Sequence, residues 1–218
     1  MYPIYLKLKD KPCLVVGGGE VAERKVDGLL KAGASVTVLS PEVTDAIRRL
    51  AEGGEIRHIS DNFREEHLDD CSLIIGSTDD PAVNRGVSDS ARRRGVWVNI
   101  VDSPDESDFF VPSVVKQGDV TIAVSTGGKS PAMAKKIRKD LEKFVNPCYA
   151  RMVGFMGELR GDVLSLISGE KDRTSLFTRL SESDILSLLE KGDEEGARSL
   201  AATILREFGI VYRKEYLG

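Results

Sequence analysis

The sequence predicts an α/β protein: a doubly wound parallel sheet over residues 1–112, then a small α+β segment over 113–145 and a helical C-terminal domain over 146–218. Three observations predict it. Five apolar strands alternate with helical patterns through the first half, the rhythm of a parallel sheet covered on both faces. The first strand stops at Gly17-Gly18-Gly19 and turns into an amphipathic helix. After Pro112 the alternation ends: short strands over 113–116 and 119–124, joined by Gln117-Gly118, read as a hairpin, and helical patterns with polar turns fill the chain from Asn146 onward.

Residues 2–8 read as an extended lead-in, followed by a turn at Lys9-Asp10-Lys11 and a strand over 12–16. Gly17, Gly19 and Ala22 then fit the G-x-G-x-x-G/A spacing. That spacing needs glycine for a tight turn, bare backbone against a pyrophosphate, and a small residue where helix meets strand. The amides and positive dipole end of the new helix face the phosphates. Val21, Ala22, Val26, Leu29 and Leu30 supply the helix's apolar face, which ends at Gly33. The motif, in this context, predicts a Rossmann-like dinucleotide site; a purely structural glycine turn is the alternative.

The second strand covers 35–39. At its end, roughly 20 residues past the glycines, the generic fingerprint places an Asp or Glu on the ribose hydroxyls. Ser40-Pro41-Glu42 stands there instead, and no arginine follows to take a 2′-phosphate, so NAD is favoured over NADP. A helix over 42–51, a strand over 55–59 and a polar connection over 63–70 come next. The fourth strand, 72–76, runs into Ser77-Thr78-Asp79-Asp80-Pro81, where small and hydroxyl residues suit a cofactor lying across the strand end. The same stretch suits a helix start over 81–94, with Asp80 as the cap and Pro81 at the first helical position. A fifth strand, 96–101, ends in Asp102-Ser103-Pro104. Asp102 thus falls just past a carboxyl strand end, where an open α/β sheet binds its ligand and a carboxylate can orient or deprotonate a substrate; a turn-capping aspartate fits the position equally.

The hairpin leads into Ser125-Thr126-Gly127-Gly128-Lys129-Ser130-Pro131 and a helix over 132–145. Gly128-Lys129-Ser130 has the look of a P-loop, but the motif's first glycine would be residue 123, which is Ala123, so ATP binding is rejected. A glycine-rich loop, three hydroxyls and a helix N-terminus still make an anion site, with Lys129 and the helix cations Lys135, Lys136 and Arg138 beside it, or a solvated face for part of them. Ser181-Glu182-Ser183-Asp184 resembles a helix start, 185–189 its apolar run, and Gly192-Asp193 its end. A last helix covers 194–208, and the tail 212–216 reads as frayed.

The 218 residues carry a formal net charge of −4, with 41% hydrophobic and 30% charged residues, an ordinary balance for a globular chain. A general nucleic-acid or membrane partner is not expected. No run of about 18 apolar residues occurs, and Met1-Tyr2-Pro3-Ile4-Tyr5 lacks the pattern of a signal peptide, so the expected location is the cytoplasm. Cys13, Cys71 and Cys148 are odd in number and far apart, giving neither a disulfide framework nor C-x-x-C spacing. With only His58 and His67, no metal set and no Ser/His/Asp or Cys/His constellation is expected.

Pro3-Ile4-Tyr5, the run from Cys13 to Lys25, Ser77-Thr78-Asp79-Asp80 with Asn84, Asn99-Ile100-Val101-Asp102 with Phe109 and Pro112, and the run from Ala123 to Pro131 together resemble the precorrin-2 dehydrogenase family. That family also occurs as the N-terminal part of multifunctional sirohaem synthases. The resemblance covers residues 1 to about 165, with Leu159-Arg160-Gly161 near its end. It implies NAD-dependent oxidation of precorrin-2 to sirohydrochlorin, joined in some members by iron insertion at the same site with ferrous iron as substrate. It implies a homodimer with a dimerisation segment from Ser113. Asp102 takes the catalytic role, and Glu20, Val21, Pro41 and Glu42 take the cofactor contacts beside Gly17, Gly19, Ser40, Ser77 and Thr78. Precorrin-2 is a polycarboxylate, which the loop Ser125, Thr126, Gly127, Gly128, Lys129 and Ser130 suits. Where the family usually has a second serine in that loop, Thr126 stands here. A nucleotide-sensing module and a dedicated chelatase are the rival readings: the first needs neither Asp102 nor the anion loop, the second no NAD.

Overall fold

The computed structural model of the chain describes residues 1–213 together with Tyr216 and Leu217. It forms two compact units, Met1–Val111 and Pro112–Gly218.

In the first unit, β1 (Pro12–Val16), β2 (Ser35–Leu39), β3 (Arg57–Ile59), β4 (Leu73–Gly76) and β5 (Trp97–Ile100) make one parallel sheet in the order β3-β2-β1-β4-β5. The helices between them are α1 (Glu20–Lys31), α2 (Asp45–Glu52) and α3 (Pro81–Arg93). Strand β1 is buried on both faces, as a doubly covered sheet requires. Cys13 and Val15 pack with Ala22, Val26 and Leu29 of α1 and Ile47 of α2. Leu14 and Val16 pack the other way, with Val87 and Ala91 of α3 and Leu68. The chain moves outward from β1 through β2 to β3, then crosses back to β4, so the order reverses between β1 and β4 and leaves a crevice at their carboxyl ends.

Register brings those ends level. Val16 pairs with Leu39 on one side and Gly76 on the other, and Gly76 pairs with Ile100. Three differences from the sequence expectation go beyond a one-residue shift of an element's end. α2 begins at Asp45 and not at 42, because the Thr44 hydroxyl accepts from the Ile47 amide at 3.3 Å while the Ser40 hydroxyl donates to the Glu42 carbonyl at 2.6 Å and keeps 40–42 a turn. β3 is only three residues long. The polar connection over 63–70 contains a 3-10 turn, Glu65–Leu68, that buries Leu68 in the second core cluster.

In the second unit, β6 (Ser113–Gln117) and β7 (Val120–Val124) pair antiparallel. Gln117 pairs with Val120, so the two-residue turn is Gly118-Asp119, one position later than expected. Gly118 has φ +57°, the left-handed first position of a type II′ hairpin turn. Five helices follow: α4 (Pro131–Phe144), α5 (Pro147–Leu166), α6 (Glu170–Glu182), α7 (Ile185–Glu190) and α8 (Glu194–Glu207). Both α4 and α5 start on a side-chain cap with proline next, Ser130 accepting from the Met133 amide and Asn146 from the Cys148 amide. Phe155, Leu159 and Val163 of α5 pack with Leu176 and Leu180 of α6, Ile185 of α7 and Ala201 and Leu205 of α8.

The helix expected after residues 181–184 is α7, with Asp184 at its N-cap and the Ile185 amide donating to the Ser183 hydroxyl at 3.4 Å; α6 runs up to Glu182 just before it. The expectation of a frayed tail is corrected. Tyr216 and Leu217 are buried in the helical core, the Tyr216 ring stands edge-on to Phe155 at 5.9 Å, and the Tyr212 hydroxyl donates to the Tyr216 carbonyl at 2.6 Å. Lys214 and Glu215 lie outside the described residues. Among the described residues no helix is long and apolar enough to cross a membrane.

Candidate functional site

The level strand ends turn the carboxyl edge of the sheet into one platform. Beyond the strands the ladder runs one step further: Gly17 N donates to the Leu39 carbonyl at 3.0 Å, Ser77 N to Val16 at 2.8 Å, Ser40 N to Ile59 at 3.1 Å and Val101 N to Gly76 at 2.9 Å. The loops that carry Gly17, Gly19, Glu20, Val21, Ser40, Pro41, Glu42, Ser77, Thr78 and Asp102 therefore leave the sheet side by side.

Each glycine of the first loop has its own reason. Gly17 has φ +121°, and a Cβ on it would lie 2.6 Å from the Ser77 carbonyl oxygen. A Cβ on Gly18 would lie 2.0 Å from the Glu42 carbonyl oxygen, and the Gly18 carbonyl accepts from the Thr44 amide at 2.9 Å. These two let the loop pack between the ends of β2 and β4. Gly19 is different: nothing lies within 4 Å of the place its Cβ would take. It caps α1 without a side-chain bond, and the first helical bond back to it comes from the Glu23 amide. The amides of Glu20, Val21 and Ala22 are thereby left without an acceptor within the helix. A dinucleotide fits this cradle, since its pyrophosphate requires bare backbone and uncommitted amides at a positive helix end.

Ser40, Pro41 and Glu42 form a turn pinned from β3. His58 Nε2 donates to the Ser40 carbonyl at 2.9 Å, and the Ser60 hydroxyl donates to the Pro41 carbonyl at 3.2 Å. The Ser40 hydroxyl is spent inside the turn, while the Glu42 side chain is exposed. Across the crevice Ser77 donates to the Val16 carbonyl at 3.2 Å. Thr78 is clamped by the buried Asn84, which receives its hydroxyl hydrogen at 2.9 Å and returns an amide hydrogen to its carbonyl at 2.8 Å.

Asp102 has φ +58°, a left-handed backbone that costs a non-glycine residue on the order of 1 kcal/mol. It stands in a turn closed by the Ser103 amide and the Ile100 carbonyl at 3.2 Å. Its side chain is exposed and makes no hydrogen bond to a described residue, so it caps no amide of this turn. The loop behind it is tied down instead by other groups. Val98 N donates to Asp108 at 3.2 Å, the Asn99 amide group donates to the Phe109 carbonyl at 2.9 Å, and the buried Ser88 hydroxyl donates to the Glu106 carbonyl at 2.7 Å. A strained, uncommitted carboxylate beside a nucleotide cradle is placed to accept a proton.

In the second unit the hydroxyls of the loop before α4 fold the loop itself. Thr126 accepts from the Ser130 amide and donates to the Ser130 carbonyl, both at 3.0 Å, which uses its hydroxyl in both directions. Ser125 accepts from the Gly127 amide at 3.2 Å and Ser130 caps α4, so each keeps a hydrogen to donate. Gly128 and Lys129 are exposed. Of the cations next to them, Lys136 pairs with Asp140 at 2.7 Å and Arg138 with Glu142.

Sequence reasoning missed His58 and Ser60 as supports of the site, because each acts on a backbone group distant in sequence and carries no motif. Asn84 had a signal: an asparagine on the buried face of a helical pattern must find partners. His58 and His67 both have protein partners, His67 Nδ1 accepting from the Arg64 amide at 3.1 Å. Among the described residues no group of three or more His, Cys, Asp or Glu is placed to hold a metal.

A family model described as putative NAD(P)-binding matches residues 4–113, and one described as the sirohaem biosynthesis protein central region matches residues 117–143. The chain is 40% identical to a siroheme synthase of Methylobacillus flagellatus, over 98% of this chain and 46% of that protein. It is 40% identical to one from Methylococcus capsulatus, over 89% and 41%. The chain thus spans less than half the length of these curated relatives. Among solved structures it superposes on SirC, a precorrin-2 dehydrogenase, with a TM-score of 0.78 and 28% identity, covering 96% of this chain and 99% of that one.

Proposed function

The chain belongs to the putative NAD(P)-binding family whose model it matches and is a relative of the siroheme synthases, and from that premise we propose that it oxidises precorrin-2 to sirohydrochlorin with NAD in sirohaem biosynthesis. The observation that carries the reading is the shared edge: the open backbone at Gly19 and the uncommitted Asp102 carboxylate leave the same row of strand ends. NAD supplies the hydride acceptor when bound. Loss of a hydride from precorrin-2 must be accompanied by loss of a proton, and Asp102 is the base that takes it. Gly17, Gly19, Glu20 and Val21 hold the pyrophosphate side of the cofactor; Ser40, Pro41 and Glu42 hold the ribose side, with Ser77 and Thr78 beneath. Resemblance to SirC over nearly the whole of both chains supports the substrate assignment.

The loop Ser125, Thr126, Gly127, Gly128, Lys129 and Ser130 binds substrate carboxylates through the Gly128 backbone, the Lys129 ammonium and the two hydroxyls that keep a free hydrogen, the Lys129 amide being held by the Thr126 carbonyl at 3.2 Å. The segment 113–145 makes the protein a homodimer, supported by the two-stranded sheet of β6 and β7 and by exposed Val114, Met133, Ile137 and Phe144. Residues 1–112 and 146–218 are then the nucleotide domain and a helical domain. Three free cysteines support a cytoplasmic setting.

Iron insertion is a second activity of the same site, with ferrous iron as substrate. It is favoured by Asp102, whose carboxylate is equally able to take the pyrrole protons that the metal displaces. An anaerobic assay tests both readings: precorrin-2 with NAD should give NADH and sirohydrochlorin, and later addition of ferrous iron should give sirohaem faster than without protein. Absence of NADH in the first stage overturns the dehydrogenase.

A further inference from the structure

Among the described residues four polar side chains are buried: Asn84, Ser88, Ser90 and Asn99. Three of them stand on α3, and two of those three reach the loops at the carboxyl edge of the sheet. Asn84 directs its whole amide group at one residue: its Oδ1 accepts from the Thr78 amide at 3.3 Å and from the Thr78 hydroxyl at 2.9 Å, and its Nδ2 donates to the Thr78 carbonyl at 2.8 Å. Both peptide groups that flank Thr78 are thereby fixed. Ser88, fully buried, donates to the Glu106 carbonyl at 2.7 Å. Glu106 adjoins Ser107, whose hydroxyl accepts from the Ile100 amide at 2.9 Å and lies 2.9 Å from the Ser103 carbonyl, so the bond from Ser88 ends at the turn that holds Asp102. A buried polar group costs free energy unless it is bonded, and neither of these bonds closes a helix or a sheet ladder.

We infer that Asn84 and Ser88 are positioning residues that set the separation of cofactor and base: Asn84 holds Thr78 beneath the cofactor, and Ser88 holds the Asp102 turn. The inference rests on the reading of Thr78 as a cofactor contact and of Asp102 as the base. Four residues apart, the two lie on one row of α3, about 6 Å from each other along its axis. Val87 and Ala91 of the same helix pack with Leu14 and Val16 of β1, so both loops are referred to one anchored element. The remaining bonds from α3 to the Asp102 loop come from arginines that reach solvent, Arg85 to Glu106 at 3.2 Å and Arg92 to Asp108 at 3.3 Å, where ion pairs are screened and weak. Ser90 differs from both residues, since its hydroxyl donates to Glu65 of the 3-10 turn at 3.1 Å and touches neither loop. Transfer between two groups needs the reacting atoms within about 3–3.5 Å, so a displaced loop at either end of this row is felt in the reaction.

The test uses the full chain with Asn84→Ala, Thr78→Val, the two combined, Ser88→Ala and, as the control, Ser90→Ala. Three readouts are taken: the Kd for NAD by calorimetry, kcat with precorrin-2 at saturating NAD, and amide hydrogen exchange at Ile100 and Ser103 by NMR. Asn84→Ala should raise the Kd about tenfold. Thr78→Val breaks the same clamp from the other side with its shape kept, and the double variant should bind no more weakly than Asn84→Ala alone. Ser88→Ala should leave the Kd unchanged, lower kcat by about 10- to 100-fold and speed exchange at both amides. Ser90→Ala should lower the unfolding midpoint and move none of the three. Wild-type NAD affinity in Asn84→Ala, or in Thr78→Val where Asn84→Ala does not fold, overturns the inference. So does Ser88→Ala with wild-type turnover, or Ser90→Ala reproducing the losses, which would make them effects of stability. If the wild type itself forms no NADH, it is the dehydrogenase reading that fails, and NAD affinity and amide exchange still decide what Asn84 and Ser88 hold.

Discussion

The Ser107 hydroxyl lies 2.9 Å from the Ile100 amide nitrogen, whose hydrogen it accepts, and within 3.1 Å of the Ile100 carbonyl and 2.9 Å of the Ser103 carbonyl, to either of which it can donate. One side chain thus closes the turn that holds Asp102 in its left-handed conformation. Ser107→Ala leaves the amide of the buried Ile100 without its partner, at a cost of about 1–2 kcal/mol. Chemical denaturation should show that loss. Turnover should fall while NAD affinity stays the same, since the cradle at Gly17 and Gly19 does not use this loop. An Ala variant as stable and as active as the wild type would show that the turn stands without Ser107.

Gly18 and Gly19 of the first loop predict opposite effects of substitution. Gly19→Asp places a carboxylate in open space at the N-cap of α1, where aspartate is better than glycine by only a few tenths of a kcal/mol, and yet it fills the place of the pyrophosphate with like charge. Thermal unfolding should therefore be unchanged or shifted upward while NAD binding is lost by calorimetry. Gly18→Ala meets the Glu42 carbonyl and should destabilise the fold even without ligand. A Gly19→Asp protein that binds NAD as before would take the cofactor away from this loop.

How much of this was legible in the sequence depends on whether a residue acts locally. The strands β1 and β2 fall at their expected bounds because each is a short apolar run closed by glycine or by Ser-Pro. The glycine loop, the Asp80-Pro81 start of α3 and the position of Asp102 are equally local signals. The start of α2 was misplaced because Glu42 has good helix propensity, while the winning interaction, Ser40 bonding to the Glu42 carbonyl, holds the turn against it. Burial of Tyr216 against Phe155 joins residues 61 positions apart, and nothing near Tyr216 announces it.

A two-stranded sheet is marginal alone, and the exposed apolar side chains of α4, Met133, Ile137 and Phe144, recur at the spacing of one helix face. A second copy covering that face and the strand edges should give a dimeric mass by light scattering at micromolar concentration. Ile137→Lys with Phe144→Glu places charges in the seam and should shift the mass to that of the monomer, with exposure of the hairpin to proteolysis. A monomeric wild type at that concentration counts against the assembly.

Arg151 grips Glu194 with two bonds, 2.6 and 2.7 Å, and joins α5 to the start of α8. The bond from Arg151 holds the Glu194 carboxyl below its ordinary value of 4.5. The sign follows: a carboxyl depressed in the folded state contributes stability that is complete above about pH 4.5 and is lost as pH falls through the folded value. Both partners reach solvent, so the effect is modest and weakens with salt. Glu194→Gln should lower the unfolding midpoint at pH 7, and by less at an acid pH well below 4.5. Equal differences at both pH values would mean that packing, and not charge, joins these helices.

Asp102 separates backbone from chemistry, because its φ of +58° makes a different demand from its carboxylate. Asparagine tolerates the left-handed region nearly as well as aspartate, glycine better, and alanine worse by on the order of 1 kcal/mol. Stability should therefore rank Gly at or above Asp and Asn, with Ala lowest. Turnover should rank otherwise. If the carboxylate accepts the proton, Asn, Gly and Ala should all lower kcat by roughly 10²–10⁴-fold, the contribution of a positioned acid–base group, with NAD affinity little changed. Asp102→Gly is the most informative of the three, since it relieves the strained turn while removing the base: a protein more stable and far less active would show that the strain is kept for the reaction. Activity retained by Asn and lost by Ala and Gly would assign Asp102 an orienting role through its remaining oxygen. Activity retained by all three, measured as NADH formed from precorrin-2 under anaerobic conditions, would remove Asp102 from the mechanism.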